Sequence, residues 1–394
     1  MKFLENMMKK MEPSFKKGGK FEKLHPLYDG FATFAFTPNH ATHSGAHIRD
    51  SIDLKRTMMT VIIALIPCLV FGMWNVGYWH YSALGIPATM MQEFVYGLIK
   101  VLPLVVVSYG VGLGIEFAFC IAKGHAIQEG FLVSGMLIPL VMPADVPLWM
   151  VAVATAFSVV IAKEVFGGTG MNIVNVALTA RAFLFFAYPT FMAGEVWISG
   201  DKTQFVDGTT GATNLGHLAG LVTNPETKDV VMNEKVADLW TTFIGIEPGS
   251  VGETSGLAIL IGAGILILTG IGSFRIMASM FAGGFLMQTI FNAWGANPYM
   301  EVDPMHQLMM GGFMFGMVFM VTDPVTAAQT PTGKIIYGVL AGMLSILVRV
   351  VNPAFPEGVM MAILLSNVFA PTIDHYVVQA NIKRRLNRAK LKTA

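Results

Sequence analysis

Residues 57–76 read TMMTVIIALIPCLVFGMWNV, twenty residues without a charged side chain. At about 1.5 Å of rise per residue, such a run makes a helix roughly 30 Å long, the thickness of a bilayer's hydrocarbon core. Similar apolar runs lie near 95–122, 126–142, 148–165, 173–192, 255–272, 275–294, 305–321, 334–351 and 358–377, the third and fifth of the full set being short or interrupted. The chain is 54% hydrophobic and only 13% charged, with a mean hydropathy of +0.59, outside the usage of soluble domains. The sequence therefore predicts an all-α integral membrane protein with about ten transmembrane helices. The first 56 residues are polar and basic, so no cleavable signal peptide is expected. Cys68 and Cys120 fall inside apolar runs and read as small core residues, with no disulfide or metal pattern.

Loop charges test this count independently, because Lys and Arg collect on the cytoplasmic side. Residues 1–56 carry ten Lys or Arg and the tail after Asp374 carries six, while 193–254 holds nine acids against three bases. Both termini are thus expected inside and the long loop outside. This yields a basic N-terminal segment (1–56), five spans (57–192), an outer loop (193–254), five spans (255–377) and a basic tail (378–394). An odd number of spans per half makes the two halves enter from opposite sides, the topology of an inverted repeat.

The outer loop contains DGTTGATNLG at 207–216. A Thr hydroxyl is a poor nucleophile until activated. Gly211 and Ala212 leave the backbone beside Thr213 open, so an enzyme outside could present an activated phosphate to that hydroxyl, and Asp207 could help hold a metal. The same residues also suit a plain turn.

DGTTGAT resembles the signature at which a flavin transferase attaches FMN to the last Thr through a phosphoester. The resemblance extends through HIRDSIDLKRTMM (47–59), QEGFLVSGML (128–137), AKEVFGGTGMNIVN (162–175), RAFLFFAYP (181–189), FMVTDPVTA (319–327) and VRVVNPAFPEG (348–358). Together these are similar to the B subunits of sodium-pumping NADH:quinone oxidoreductases. The D subunit of the related Rnf complex is similar in its core, but lacks the long basic N-terminal segment and the RAFLFFAYP stretch.

The resemblance implies covalent FMN on Thr213, noncovalent riboflavin held by Asn172 and Asn175, and electron delivery to a membrane quinone. By spacing, Asn172, Asn175 and Thr179 (i, i+3, i+7) are expected on one face of a helix, where their alternative role is hydrogen bonding between helices. FGGTG (166–170) lacks the Lys-Ser/Thr of a phosphate loop and reads as tight helix packing, as do Gly311, Gly312, Gly316, Gly338 and Gly342. The family's quinone site maps onto Gly112, with Leu113 replacing a second glycine, and onto Ile127.

Ionisable groups inside spans usually line a pathway. Glu116, Glu129, Glu164, Asp323 and Asp374 are all expected toward the cytoplasmic ends, which suggests a cation vestibule there, with Glu116, Glu129, Asp323 and Asp374 as the ion path; carboxylates suit Na⁺. Glu164 could instead pair with Lys163 or Arg181, and Asp323 could cap a turn. Lone histidines such as His217 read as surface residues. No catalytic residue or protein metal site is assigned, and no NADH-binding fingerprint or iron–sulfur cysteine cluster is present. Electrons must then come from partner subunits in a bacterial inner membrane, a flavin transferase is needed for maturation, and no nucleic acid is involved. The rival class is a solute channel or transporter, which has no need for DGTTGAT.

Overall fold

The computed structural model describes residues 2–16, 19, 21–36, 42–48, 50, 52–123, 130–223, 226, 235–297, 299–352 and 358–393. Among the described residues every regular element is helical. Two short helices, α1 (Lys2–Phe15) and α2 (His25–Ala35), precede the apolar body.

Among the described residues six helices are long and apolar enough to cross a bilayer: α3 (Leu54–Leu84), α4 (Met90–Lys123), the run from α6 (Leu148–Phe157) to Phe166, and three more in the second half of the chain. The other four are shorter: the third and fifth, read as short or interrupted, are so here, and the sixth and eighth depart from expectation. They form α5 (Phe131–Leu140), α7 (Val176–Ala187), later a helix over Gly256–Leu268, and a broken segment over 304–320. Helices of 10 to 13 residues cover only about 15–20 Å, half to two-thirds of a hydrocarbon core. Pro139 and the turn at 141–147 stop α5, and Gly311, with φ of +64°, breaks the segment at 304–320.

Past the loop helices α8 (Asn214–Thr223) and α9 (Leu239–Ile244), the chain continues as α10 (Gly256–Leu268), α11 (Phe274–Trp294), α12 (Pro304–Met309), α13 (Phe313–Phe315, extended by a π-helix at Gly316–Met320), α14 (Pro331–Val351) and α15 (Val359–Thr393). Several pairings recur between the first five expected spans and the last five, although the contact of α3 with α4 has no counterpart of that extent between α10 and α11. The second element packs on the fourth (α4 on α6, α11 on α14), the fourth on the fifth (α6 on α7, α14 on α15), and the first and second on the short third. The groups meet where α3 packs on α10 and α7 on α15.

Missing side chains set these crossings. A Cβ on Gly338 would lie 2.0 Å from Ser279 Oγ, and one on Gly342 2.1 Å from the Met280 carbonyl oxygen, so α11 and α14 touch backbone to backbone, as expected for small residues between membrane helices. The FGGTG stretch corrects its expectation. Gly167, Gly168 and Gly170 all have positive φ, so 166–170 is a turn that only glycine adopts without strain, not a packed helix. Gly312 is corrected too: it makes room for the Glu253 carboxylate, whose Oε1 lies 2.6 Å from where a Cβ would sit. Both cysteines are buried.

Candidate functional site

On the side of the body where α3 begins, a cavity opens among the ends of several elements. Lys163, Thr169, Asn172, Asn175 and Asp323 are among the residues lining it. The sequence thus identified two residues of one real cavity, though the helical-face argument for them fails. α7 starts only at Val176, so Asn172 lies before the helix and Asn175 is its N-cap, accepting from Leu178 N–H at 3.1 Å. Asn and Asp favour that position because their side-chain oxygen satisfies an otherwise orphaned N–H. Thr179 turns its hydroxyl back onto the Asn175 carbonyl at 2.8 Å and is not among the lining residues.

Asp323 follows the π-helix at Gly316–Met320 and is held by Val325 N–H at 3.0 Å and Asn175 Nδ2 at 3.5 Å. The cavity wall therefore brings Lys163, the Asn amides and the Ser134 hydroxyl around one carboxylate, while the hydroxyls of Thr57 and Thr322 donate to the carbonyls of Asp53 and Val318. Thr169 Oγ1, also in the wall, is buried without a hydrogen-bond partner among the described residues. Such an arrangement suits a ligand with a polar edge that both accepts and donates.

Glu116 is buried and ion-paired with Lys163, also buried, from the π-helix at Ser158–Lys163. Glu164, expected to pair with Lys163 or Arg181, instead lies with Oε2 3.9 Å from Lys123 Nζ. Gly112, one turn before Glu116, packs under the Phe131 ring, which a Cβ there would strike at 1.9 Å. Leu113 is half-buried against the core. Ile127 and Glu129 lie outside the described residues. Asp374 is occupied: it accepts from Gln329 N–H at 2.6 Å, Thr330 N–H at 3.0 Å and Thr330 Oγ1 at 2.5 Å, anchoring the start of α14.

On the opposite side lies DGTTGAT. Thr213 precedes α8, and its Oγ1 accepts from Gly216 N–H at 3.1 Å while its carbonyl accepts from His217 N–H at 3.0 Å. The hydroxyl oxygen is thus at a helix N-terminus, where exposed N–H groups and the helix dipole favour a phosphate. Thr213 is half-buried in the wall of a pocket shared with Phe185, Trp197 and Met360. Gly211 is obligatory, since a Cβ would lie 2.4 Å from the Glu195 carbonyl oxygen. Asp207 is exposed. His217 is half-buried, not superficial, with Nε2 3.4 Å from Thr210 Oγ1.

A second set of buried charges lies near this side; the sequence reading singled out only Arg181 among them, as a partner for Glu164. Arg181 Nη1 donates to Glu253 Oε1 at 2.6 Å, both side chains being about 5% exposed or less. Arg349, wholly buried, donates to the Gln307 carbonyl at 2.6 Å. Glu247, in the loop before α10, meets Asn214 Nδ2, and burial pushes its carboxyl up to about 8, only partly offset by the Gly311 N–H and the charge of Arg349. An arginine inside LVRVV was the available signal for this set.

Residues 41–383 match the model of the NQR2, RnfD, RnfE family. The chain is 44% identical to the B subunit of the Na(+)-translocating NADH-quinone reductase of Chromohalobacter salexigens, covering 98% of this chain and 96% of that one. It is 45% identical to the proteins of the same name from Pseudomonas paraeruginosa (98% and 99% covered) and Azotobacter vinelandii (96% and 98%).

Proposed function

The chain belongs to the NQR2, RnfD, RnfE family, among the B subunits of Na(+)-translocating NADH-quinone reductases, and from that membership we propose how its two sites serve the complex. It is a multi-pass membrane subunit of a sodium-pumping NADH-quinone reductase. Our reading is that Thr213 carries FMN by a phosphoester made by a flavin transferase, that the cavity at Asn172 and Asn175 holds riboflavin, and that quinone is reduced near Gly112 and Leu113. Bound flavins would supply the capacity to take up and release electrons.

The observation that carries the reading is the Thr213 hydroxyl at the N-terminus of a ten-residue helix beside an aromatic pocket. That environment stabilises the phosphoester's negative charge, while Gly211 holds the strand of loop against Glu195. At the other site, Asn172 and Asn175 would hold the riboflavin edge by amide hydrogen bonds, and Phe319 and Leu266 would exclude water from its faces.

The recurring pairings in the two groups of five support two inverted halves, 57–192 and 255–377, around an outer loop at 193–254. The basic segments 1–56 and 378–394 then lie in the cytoplasm of a bacterium, against its inner membrane. Na⁺ would be drawn in past Glu116 and Asp323 on that side.

Mass spectrometry of the Thr213 peptide tests the assignment. Wild type should be heavier by one FMN and Thr213→Ala should not; flavin retained in the variant refutes it. Replacing Asn172 and Asn175 together by Leu should remove extractable riboflavin while leaving covalent FMN in place, and unchanged riboflavin would return both residues to a packing role.

A further inference from the structure

Lys163 stands between two sites. Its side chain lines the cavity with Asn172, Asn175 and Asp323, yet its ammonium is ion-paired with Glu116 of α4, outside the set of residues that line that cavity. Both partners are about 4% exposed. Glu116 uses only one oxygen for the pair: Oε2 is buried and has no hydrogen-bond partner among the described residues. The ammonium also lies 5.8 Å from the centre of the Phe131 ring, the ring that packs on Gly112.

Lys163 is the last residue of a π-helix, directly before a 3₁₀ turn at Glu164–Phe166. The regular α-helical ladder is interrupted there, as it often is at functional positions. Its four-carbon stem lets the ammonium swing by several ångströms without moving the backbone.

From this placement we propose that Lys163 is a shared counter-ion. It neutralises Glu116 while the occupant of the cavity is uncharged, and turns to the occupant when that becomes negative, leaving the Glu116 carboxylate to a monovalent cation. The inference rests on the flavin reading above. In charge balance, one electron delivered by the NADH-oxidising complex adds one negative charge to the cavity, no bond forms or breaks, and one Na⁺ taken up at Glu116 compensates it. The other charged groups near the pair, Glu164, Lys123 and Asp323, need not move: Glu164 already faces Lys123, and Asp323 is held by Asn175 and Val325.

Linkage makes the proposal testable, because a cation that frees Lys163 for the cavity must also favour the reduced form of what the cavity holds. The purified complex is titrated spectroelectrochemically at low and high NaCl, with choline chloride holding ionic strength constant, in wild type, Lys163→Met, Lys163→Arg and the double variant Lys163→Met/Glu116→Gln. In wild type and Lys163→Arg the midpoint potential of the noncovalent flavin should rise with Na⁺, corresponding to a roughly tenfold difference in Na⁺ affinity between its two redox states. In Lys163→Met the potential should be lower and independent of Na⁺, with Na⁺ bound about equally in both states. The double variant leaves no unpaired buried carboxylate, so it keeps the test open if Lys163→Met folds poorly, and it too should show no Na⁺ dependence. A Na⁺-dependent shift of wild-type size in Lys163→Met or the double variant overturns the proposal. Extraction of the wild-type complex separates the two failures: noncovalent flavin present but insensitive to Na⁺ refutes the role of Lys163 alone, and no noncovalent flavin refutes the cavity reading with it.

Discussion

Arg181 sits on α7, five residues past the first helical position that follows the cavity residue Asn175, and Glu253 sits at the end of the outer-loop segment leading into α10. Their ion pair ties the two together at 2.6 Å with almost no exposure. With an effective dielectric constant of 20, two unit charges at that distance attract by about 6 kcal/mol. Desolvation offsets most of this, but removing one partner leaves the other charge buried and unpaired, at a cost of about 3–5 kcal/mol. Arg181→Met and Glu253→Gln should each destabilise the protein by that amount. The double variant should be much less destabilised than the sum of the two, a coupling of roughly 3 kcal/mol. Unfolding in mixed detergent micelles, followed by tryptophan fluorescence, measures all four corners of the cycle. Single variants within about 0.5 kcal/mol of wild type, or strictly additive effects, would show that the pair does not hold α7 to the loop.

The carboxyl of Glu247 supplies a pH test. Folded it titrates at about 8 against 4.5 ordinarily, so between these values the unfolded chain has released a proton that the folded chain keeps. Stability should therefore fall by a few kcal/mol as pH rises from about 4.5 to about 8 and level off above, and Glu247→Gln should flatten that slope in the same unfolding assay; an unchanged slope assigns it to other groups. At the contact of α11 and α14, Gly342→Leu would force a side chain into space 2.1 Å from the Met280 carbonyl. The expected result is loss of the folded protein from membranes, read by yield of monodisperse complex, whereas Gly264→Leu, at a position with nothing within 4 Å, should be tolerated.

Much of this protein follows from one-dimensional facts. Apolar runs state which segments leave water, since burying a helix in lipid depends on the summed hydropathy of its own residues. DGTTGAT places Thr213 and Gly211 in one loop because that motif is local in sequence, and its N-cap geometry arises from neighbours three and four residues away. Asn172 and Asn175 are close in sequence for the same reason, although the helical spacing read into them was wrong: a cap and a preceding turn can share a cavity as well as a helix face can. What stayed hidden depends on partners far apart in the chain. Hydropathy marked the run that holds 131–140 as short, but could not tell that 256–268 would also make a short helix, because its length is cut by turns that pack on other segments. Charges could be placed near a membrane side, but not paired: Lys163 chose Glu116 over its neighbour Glu164, Arg181 chose Glu253 from the distant loop, and Asp374 became the anchor of α14. The physical reason is that a buried charge takes whichever partner the folded backbone brings within a few ångströms, and only the tertiary structure decides that distance.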